Sequence, residues 1–143
     1  MEIEELDPGR APDAVDLWSE CGLTRPWNDP AADLARAVTG TASTVLGALS
    51  GETLVGTVMV GHDGHRGWVY YLAVAPDRQR QGIGRLLMGA AEDWLKRRDV
   101  PKIHLMVRAT NAGVVAFYAR LGYVDQDCLV LGRRLDGVDD GRR

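Results

Sequence analysis

Residues 69–88 read VYYLAVAPDRQRQGIGRLLM, and this stretch decides how the rest of the 143-residue chain is interpreted. Its first residues are apolar on both faces, which is typical of a central strand covered on both sides. Pro76 ends the strand because proline cannot donate a hydrogen bond into a ladder. From Ile83 onward apolar residues recur at helical spacing and predict a long amphipathic helix. The residues between therefore join a buried strand to the start of a helix.

The Gly-Ile-Gly step at this junction can hold an anion. A helix start exposes unpaired backbone N–H groups and carries a partial positive charge. Gly82 and Gly84 lack a Cβ atom, so an anion can approach the backbone closely at both positions. Arg78, Arg80 and Arg85 add positive charge around the step. This chemistry points to a phosphate group, although a tight strand-to-helix turn without a ligand gives the same residues.

The residues that follow the glycines narrow the kind of phosphate. A P-loop needs a lysine followed by serine or threonine after its glycines, and no such pair is present, which disfavours a metal-bound nucleoside triphosphate. A dinucleotide-binding fingerprint needs a third glycine, but Leu86 and Leu87 follow here. The Gly-x-Gly pair by itself is weak evidence for either class.

Composition describes an ordinary globular protein, with 45% hydrophobic and 26% charged residues. The formal net charge of −3 gives no global basic field for nucleic acid or anionic lipid, so an anion site must be local. Cys21 and Cys128 lie far apart without metal-ligand spacing, which favours reduced thiols over a zinc site. The acidic N-terminus lacks the apolar core of a signal peptide, and we expect a cytoplasmic protein.

The remaining patterns predict a single domain over residues 1–136 with a polar tail at 137–143. The expected order is β-α-α-β-β-β-α-β-α-β-β, a mixed α/β or α+β architecture. The predicted elements are a strand at 1–6, a helix at 11–22, a helix from Asn28 or Asp29 to about Val38, a hairpin at 43–61 turning at 50–52, a turn at 61–67, a strand at 68–76, the long helix after the glycine step, a strand at 102–107, a helix at 111–122 and one or two strands at 123–135.

Two blocks of the chain resemble one known family. The run Gln79–Gly84, QRQGIG, is similar to the Q/R-x-x-G-x-G/A signature of the GCN5-related N-acetyltransferases, the GNAT superfamily. The segment NAGVVAFYARLGY at 111–123 resembles the family's second block, which runs from an asparagine through Phe-Tyr to Gly-Phe/Tyr. RPWNDP at 25–30 and GHDGHRG at 61–67 further resemble the bacterial YpeA-type acetyltransferases.

The resemblance implies a fold, a cosubstrate and an activity. The expected fold is the GNAT fold, with a mixed, mostly antiparallel sheet of 6–7 strands and about four helices on both faces. Acetyl-CoA is the implied cofactor, and the implied reaction moves its acetyl group directly to a primary amine. The residues expected to bind the cofactor are Leu72, Val74, Gln79, Arg80, Gln81, Gly82, Ile83, Gly84, Arg85, Asn111 and Tyr118.

Their implied roles differ. Backbone groups of Leu72 and Val74 would pair with the pantetheine arm like an added strand, and one of their N–H groups would stabilise the developing oxyanion. Amides around Gly82 would hold the pyrophosphate, and Asn111 would contact the cofactor. Tyr118 is the implied catalytic acid, which protonates the leaving CoA thiolate; without the family block, Tyr118 would be read as a core residue.

The general base remains open in the sequence. In ribosomal-protein alanine acetyltransferases a glutamate precedes the Asn-containing helix, and Met106 occupies the matching position here. Met106 cannot take a proton. A water chain, Asp63, His65 or a partly neutral amine could each serve instead.

Acceptor binding is expected from two loops. In the family, the connection between the first two helices overhangs the acceptor site, and the GHDGHRG turn is expected to face the acceptor. A two-His-one-Asp turn with alternating glycines is more often a polar hairpin tip than a metal site, so no metal is expected. The predicted substrate-binding residues are Trp27, Asn28, Asp29, Asp63, His65 and Tyr70.

A second class of function competes with catalysis. Met106 at the glutamate position mildly favours a CoA-binding sensor or partner module without turnover, whereas Tyr118 favours an enzyme. A nucleic-acid module is disfavoured by the charge balance. The acceptor, whether small molecule or protein, is not specified by these residues, and the chain is expected to be a monomer or homodimer without membrane partners.

Overall fold

The computed structural model describes residues 1–142, which divide into two compact units at residue 105. The first unit holds β1 Glu2–Glu5, α1 Ala11–Glu20, α2 Pro30–Thr39, β2 Ser43–Ser50, β3 Thr53–His62, β4 Gly67–Val74, α3 Ile83–Lys96 and β5 Ile103–His104. Short 3-10 turns at Pro8–Arg10 and Pro76–Arg78 precede α1 and follow β4. The second unit holds α4, Ala112–Arg120.

The sheet follows chain order, β1-β2-β3-β4-β5. The first four strands pair antiparallel, and β5 pairs parallel to β4. The expected hairpin turn lies at Gly51–Glu52, and the second turn occupies residues 63–66. Asp29 caps α2 as predicted, because its Oδ1 accepts a hydrogen bond from the Ala32 N–H at 3.1 Å.

Helices cover both faces of the sheet. On one face, Trp18 of α1 donates from Nε1 to Thr57 Oγ1 of β3 at 2.8 Å. A Cβ atom built on the neighbouring Gly56 would lie 2.8 Å from Leu87 Cδ1 of α3. Successive residues of a strand face opposite sides, so α1 and α3 pack on opposite faces. Leu34 of α2 shares the buried cluster around Trp18.

The long helix after the glycine step is confirmed. Its buried stripe follows helical spacing, and its last turn carries Lys96, which favours the helix dipole. No helix among residues 1–142 is both long and apolar enough to cross a membrane. The buried residues of α3 are Ile83, Leu87, Met88, Ala91, Trp94 and Leu95.

The expectation of 6–7 strands is wrong for the described residues, which form five. The strand predicted at 102–107 is limited to Ile103 and His104, which pair with Gly67 and Trp68. A few residues further on, β4 contains a bulge, and a bulge bends its strand. A straight extension of β5 therefore does not follow β4 beyond Trp68.

The strands predicted at 123–135 do not form in the described structure. Leu131 and Leu135 are 90% and 94% exposed, so this apolar pattern is not packed against a sheet. Such residues favour strands because they pack well on a pleated, half-buried surface, and their backbone alone has only a weak preference for the extended conformation. Without a partner edge the pattern does not produce a strand.

The bulge in β4 has no counterpart in the sequence prediction. Thr57 pairs with Ala73 and Met59 with Tyr70, so Tyr71 and Leu72 together oppose the single residue Val58. Tyr71 has a φ angle of +51°, in the left-handed region that bulky residues avoid. The strand is thus kinked at the residue just before Leu72.

Two glycine-to-alanine changes test the packing of α3 on the sheet. Gly56→Ala introduces a methyl group into the space of Leu87, and overpacking of this kind costs about 1–3 kcal/mol of unfolding free energy. Gly89→Ala is the matched control, because a Cβ atom there meets nothing within 4 Å and alanine favours a helix by about 0.5–1 kcal/mol. Urea unfolding should show opposite signs for the two variants, and equal stabilities would contradict this packing.

Candidate functional site

The loop between β4 and α3 has an unusual backbone. Arg80 and Gly82 have φ angles of +64° and +80°, both left-handed. Glycine adopts this conformation without steric cost, whereas arginine does so with strain. Gly84 is the second residue of α3 and is partly exposed. The two left-handed residues turn the chain sharply from the end of the strand into the first turn of the helix.

The amides of this loop are open. The Leu86 N–H donates to the Gly82 carbonyl at 3.1 Å and makes the first helical hydrogen bond. Within residues 1–142, the N–H groups of residues 79–85 donate to no protein acceptor, and Gly82 provides no side-chain cap. Gln81, Gly82 and Arg85 are exposed to solvent. A concave run of free donors at a helix N-terminus is suited to a phosphate-sized anion.

The edge of β4 next to this loop is also open. Since β5 pairs only with Gly67 and Trp68, no described strand pairs with residues 69–74 on the side away from β3. The Ala75 N–H donates to the Val55 carbonyl of β3 at 2.8 Å. The Val74 C=O and the Ala75 N–H belong to the same trans peptide and point in opposite directions. The Val74 carbonyl therefore points away from β3, toward the open side of β4.

Cys21 contacts this carbonyl. Its Sγ lies 3.3 Å from the Val74 oxygen and donates to it. Burial raises the pKa of the Cys21 thiol. The thiol is therefore protonated at neutral pH and serves as a hydrogen-bond donor rather than a nucleophile.

Asp63 closes the β3–β4 turn. Its Oδ1 accepts from the N–H groups of Arg66 and His65 at 2.8 and 2.9 Å, and its Oδ2 lies 3.4 Å from Trp68 Nε1. These hydrogen bonds, the backbone N–H of Arg66 first, lower the pKa of Asp63 to about 2. A carboxylate with so low a pKa is a poor general base. Among the residues that the structure describes, no three His, Cys, Asp or Glu side chains are grouped to hold a metal ion.

The predicted acceptor residues lie in two regions of the first unit. Trp27, Asn28 and Asp29 lie in the connection from α1 to α2, where Trp27 is half-buried and the other two are exposed. Burial raises the pKa of Tyr70, and the negative charge of Asp63 raises it further, so these two side chains interact. Tyr70 is 45% exposed.

His65, in the β3–β4 turn, is exposed, and Arg66 Nη1 donates to its carbonyl at 3.0 Å. Asp29 uses Oδ1 to cap α2 and keeps its second carboxylate oxygen for other partners. Asp29 and Asp63 carry negative charge and Trp27, His65 and Tyr70 are aromatic, which suits a cationic amine.

Asn111 and Tyr118 belong to the second unit. Asn111 caps α4, since its Oδ1 accepts from the Val114 N–H at 3.2 Å. Tyr118 is 8% exposed and lies edge-on to Phe117 and Tyr123, with ring centroids 5.0 and 5.6 Å away. Burial raises the pKa of Tyr118 to about 12, so its phenol is protonated at neutral pH.

Sequence reasoning missed Tyr71 and its neighbours. The Tyr71 hydroxyl donates to Asp33 Oδ2 at 2.7 Å, and its ring stacks on Trp18 with centroids 3.9 Å apart. Thr57 Oγ1 donates to the Tyr71 carbonyl at 2.9 Å. The run VYYLAV contains no glycine or proline that would indicate a bulge, so no local signal identifies this cluster.

Known proteins match the chain over most of its length. The family model described as "Acetyltransferase (GNAT) family" matches residues 10–123. An acetyltransferase of Pectobacterium atrosepticum is 46% identical over 121 residues, which cover 85% of this chain and 86% of the relative.

Two solved structures show the same fold. The structure of AAC(6')-Iy, in complex with the bisubstrate analogue CoA-S-monomethyl-acetylneamine, has a TM-score of 0.81 at 12% identity, and the match covers 93% of this chain and 97% of that one. The ribosomal-protein-S18-alanine N-acetyltransferase of Escherichia coli has a TM-score of 0.74 at 27% identity and covers 85% and 76%. The GNAT-like α/β fold implied by the two sequence blocks is confirmed.

Removing the Asp63 carboxylate tests its role in the turn. Asp63→Ala should lower the melting temperature at neutral pH, because two backbone donors lose their acceptor. The folded-state pKa is lowered, so the advantage of wild type is full above the unfolded pKa of about 3.9. It should decline as pH falls through about 2. Thermal melts at neutral and acidic pH give the measurement, and equal melting temperatures at pH 7 would exclude this role.

Proposed function

This chain belongs to the GNAT family of acetyltransferases, and from that premise we propose that it transfers an acetyl group from acetyl-CoA directly to a primary amine. The observation that carries the proposal is the loop 79–85, whose open amides lie one short 3-10 turn beyond the open edge of β4. Together they offer a seat for a diphosphate and a strand edge for an extended, amide-containing arm. The CoA analogue bound to AAC(6')-Iy supports this cosubstrate.

The loop would hold the pyrophosphate. The proposed donors lie just before α3 and in its first turn, and they have no acceptor within residues 1–142: the N–H groups of Gln81, Gly82, Ile83, Gly84 and Arg85. The helix dipole and the guanidinium groups of Arg80 and Arg85 would favour the negative charge. Both arginine side chains are exposed to solvent, so their guanidinium groups are free to approach a bound anion.

The open edge of β4 would hold the pantetheine arm. Val74 directs its carbonyl away from β3, and the backbone groups of Leu72, two residues earlier, are proposed to reach the same edge. The amides of an extended ligand pair with such an edge as an added strand does. When bound, acetyl-CoA supplies the reactive thioester, and an N–H of Leu72 or Val74 is the proposed donor to its carbonyl oxygen.

Tyr118 is the proposed acid. The family block Asn111–Tyr123 supports this role, as does the protonated state of the phenol. Desolvation also raises the pKa of a thiol, so the pKa of a buried tyrosine and that of the leaving CoA thiol become more similar. Asn111 is proposed to contact the cofactor from the first turn of α4.

The proton of the ammonium is proposed to leave through water. Met106 has no titratable group, and the hydrogen bonds of Asp63 keep its carboxylate ionised and weakly basic. An exposed, solvent-connected acceptor region is compatible with deprotonation by water or with an amine that arrives partly neutral.

The acceptor is proposed to be a cationic, amine-bearing molecule. Trp27, Asn28, Asp29, Asp63, His65 and Tyr70 are the proposed recognition residues, with Asp29 and Asp63 as partners for ammonium groups. The two similar structures are named for acetylneamine and for an alanine of ribosomal protein S18, and both names fit an amine acceptor. A CoA-binding module without turnover is the alternative that Met106 favours, and release of free thiol from acetyl-CoA with a panel of amines distinguishes the two.

Substitutions at Gly82 test the diphosphate seat. Asparagine tolerates the left-handed conformation, whereas valine is strained there. Gly82→Val should weaken CoA binding by about tenfold or more, which is about 1.4 kcal/mol. Gly82→Asn should bind within a few-fold of wild type. Calorimetry with CoA provides the measurement, and unchanged affinity in Gly82→Val would remove this loop from the proposed site.

Tyr118→Phe tests the acid role. Loss of a positioned general acid typically costs about 10²–10⁴-fold in turnover, and affinity for CoA should change little. Because the phenol of wild type stays protonated below its pKa of about 12, turnover should show no decline due to Tyr118 between pH 7 and about 10. Thiol-release kinetics over this range give both results. Full activity of the phenylalanine variant would exclude the role.

A further inference from the structure

The kink in β4 is held by a buried polar network. Tyr71, the left-handed residue of the bulge, is fixed at three points: its ring on Trp18, its hydroxyl on Asp33 and its carbonyl on Thr57. Trp18 and Thr57 are both 0% exposed. A strained backbone conformation persists where the surroundings over-determine it, as they do here.

The hydroxyl of Thr57 has both of its roles occupied. It accepts from Trp18 Nε1 at 2.8 Å and donates its single proton to the Tyr71 carbonyl at 2.9 Å. Since Trp18 supplies only a donor and the carbonyl only an acceptor, the direction of each hydrogen bond is fixed. A β-branched threonine also has few rotamers, which further limits the hydroxyl.

Fixing the Tyr71 carbonyl fixes the amide of the next residue. The carbonyl of Tyr71 and the N–H of Leu72 are the two ends of one planar trans peptide and point in opposite directions. Thr57 therefore sets the direction of the Leu72 N–H although it does not touch it. This N–H lies on the strand that the proposed function assigns to the thioester.

We propose that Thr57, supported by Trp18, is a positioning residue that aims the Leu72 N–H at the acetyl group of the bound cosubstrate. This inference rests on the proposed function and deepens it, because it selects Leu72 as the oxyanion donor that Thr57 orients. A donor that is oriented before the reaction stabilises developing charge without reorganisation, and loss of one such donor costs about 10²–10³-fold in turnover.

The test compares Thr57→Val with a matched control. Valine keeps the shape of threonine and removes the hydroxyl, and Thr57→Ser restores the hydroxyl. Thr44→Val is the control, because Thr44 is a buried threonine, 8% exposed, on the neighbouring strand β2. Thiol release from acetyl-CoA is measured with spermidine, neamine and an alanine-starting peptide as acceptors, and melting temperatures are recorded for every variant.

The expected result is a split between turnover and binding. Thr57→Val should lower kcat by about 10-fold to 100-fold, while KM for acetyl-CoA changes by less than about threefold, since a donor used mainly in the transition state is displaced. Thr57→Ser should recover kcat to within about threefold, and Thr44→Val should retain it whatever its melting temperature. Equal kcat values for Thr57→Val and Thr44→Val would overturn the inference. If Thr57→Val does not fold, Thr57→Cys, with its weaker donor, replaces it under the same criteria.

A second readout separates this inference from the proposed function. The ¹⁵N–¹H resonance of Leu72 should shift in Thr57→Val relative to wild type and stay in place in Thr44→Val, without any ligand. An unchanged Leu72 resonance in Thr57→Val overturns the positioning role even if the enzyme is active. Absence of CoA binding and of thiol release by wild type would overturn the proposed function instead, and with it the catalytic use of this amide.

Discussion

The close contact between α3 and the sheet at Gly56 is the constraint on which the candidate site depends. A side chain at this position would overlap Leu87 and approach Ile83 within 3.1 Å. Glycine lets the first two turns of α3 rest directly on β3, and this contact fixes where the helix begins. The open amides of residues 79–85 therefore face solvent at the end of β4 instead of being consumed inside the fold.

The opposite face of the sheet controls a different property of β4. There α1 and α2 contribute Trp18 and Asp33, and both contact Tyr71 in its left-handed conformation. The strand is thus positioned from two sides: α3 places its C-terminal end and the loop beyond, and the Trp18–Thr57–Tyr71 contacts set its kink. Separate groups thus orient the proposed diphosphate site and the amide that is proposed to face the thioester carbonyl.

Several features could be predicted because their causes are local. Helical spacing after Ile83, the capping aspartate at 29 and the turn at Gly51–Glu52 each depend on a few neighbouring residues, and each is confirmed. The strands predicted at 102–107 and 123–135 differ, since a strand requires an edge to pair with. Apolar residues such as Leu129 and Leu131 favour a sheet, but they do not supply the strand edge with which a new strand must pair. The roles assigned to individual site residues, among them Asn111 and Tyr118, stay predictions.

By itself the sequence determined the family, the strand-loop-helix order and the glycine step, because these follow from residue types at short, fixed spacing. Only the tertiary structure decided the bulge at Tyr71, the open edge of β4 and the use of the Asp63 carboxylate within its own turn. Each of these features depends on residues that are distant in the chain or on which atoms donate and accept a hydrogen bond, and neither can be read from short sequence patterns. Thr57 illustrates the reason: it reads as one more β-branched residue of a strand until Trp18 and the Tyr71 carbonyl are brought against its hydroxyl.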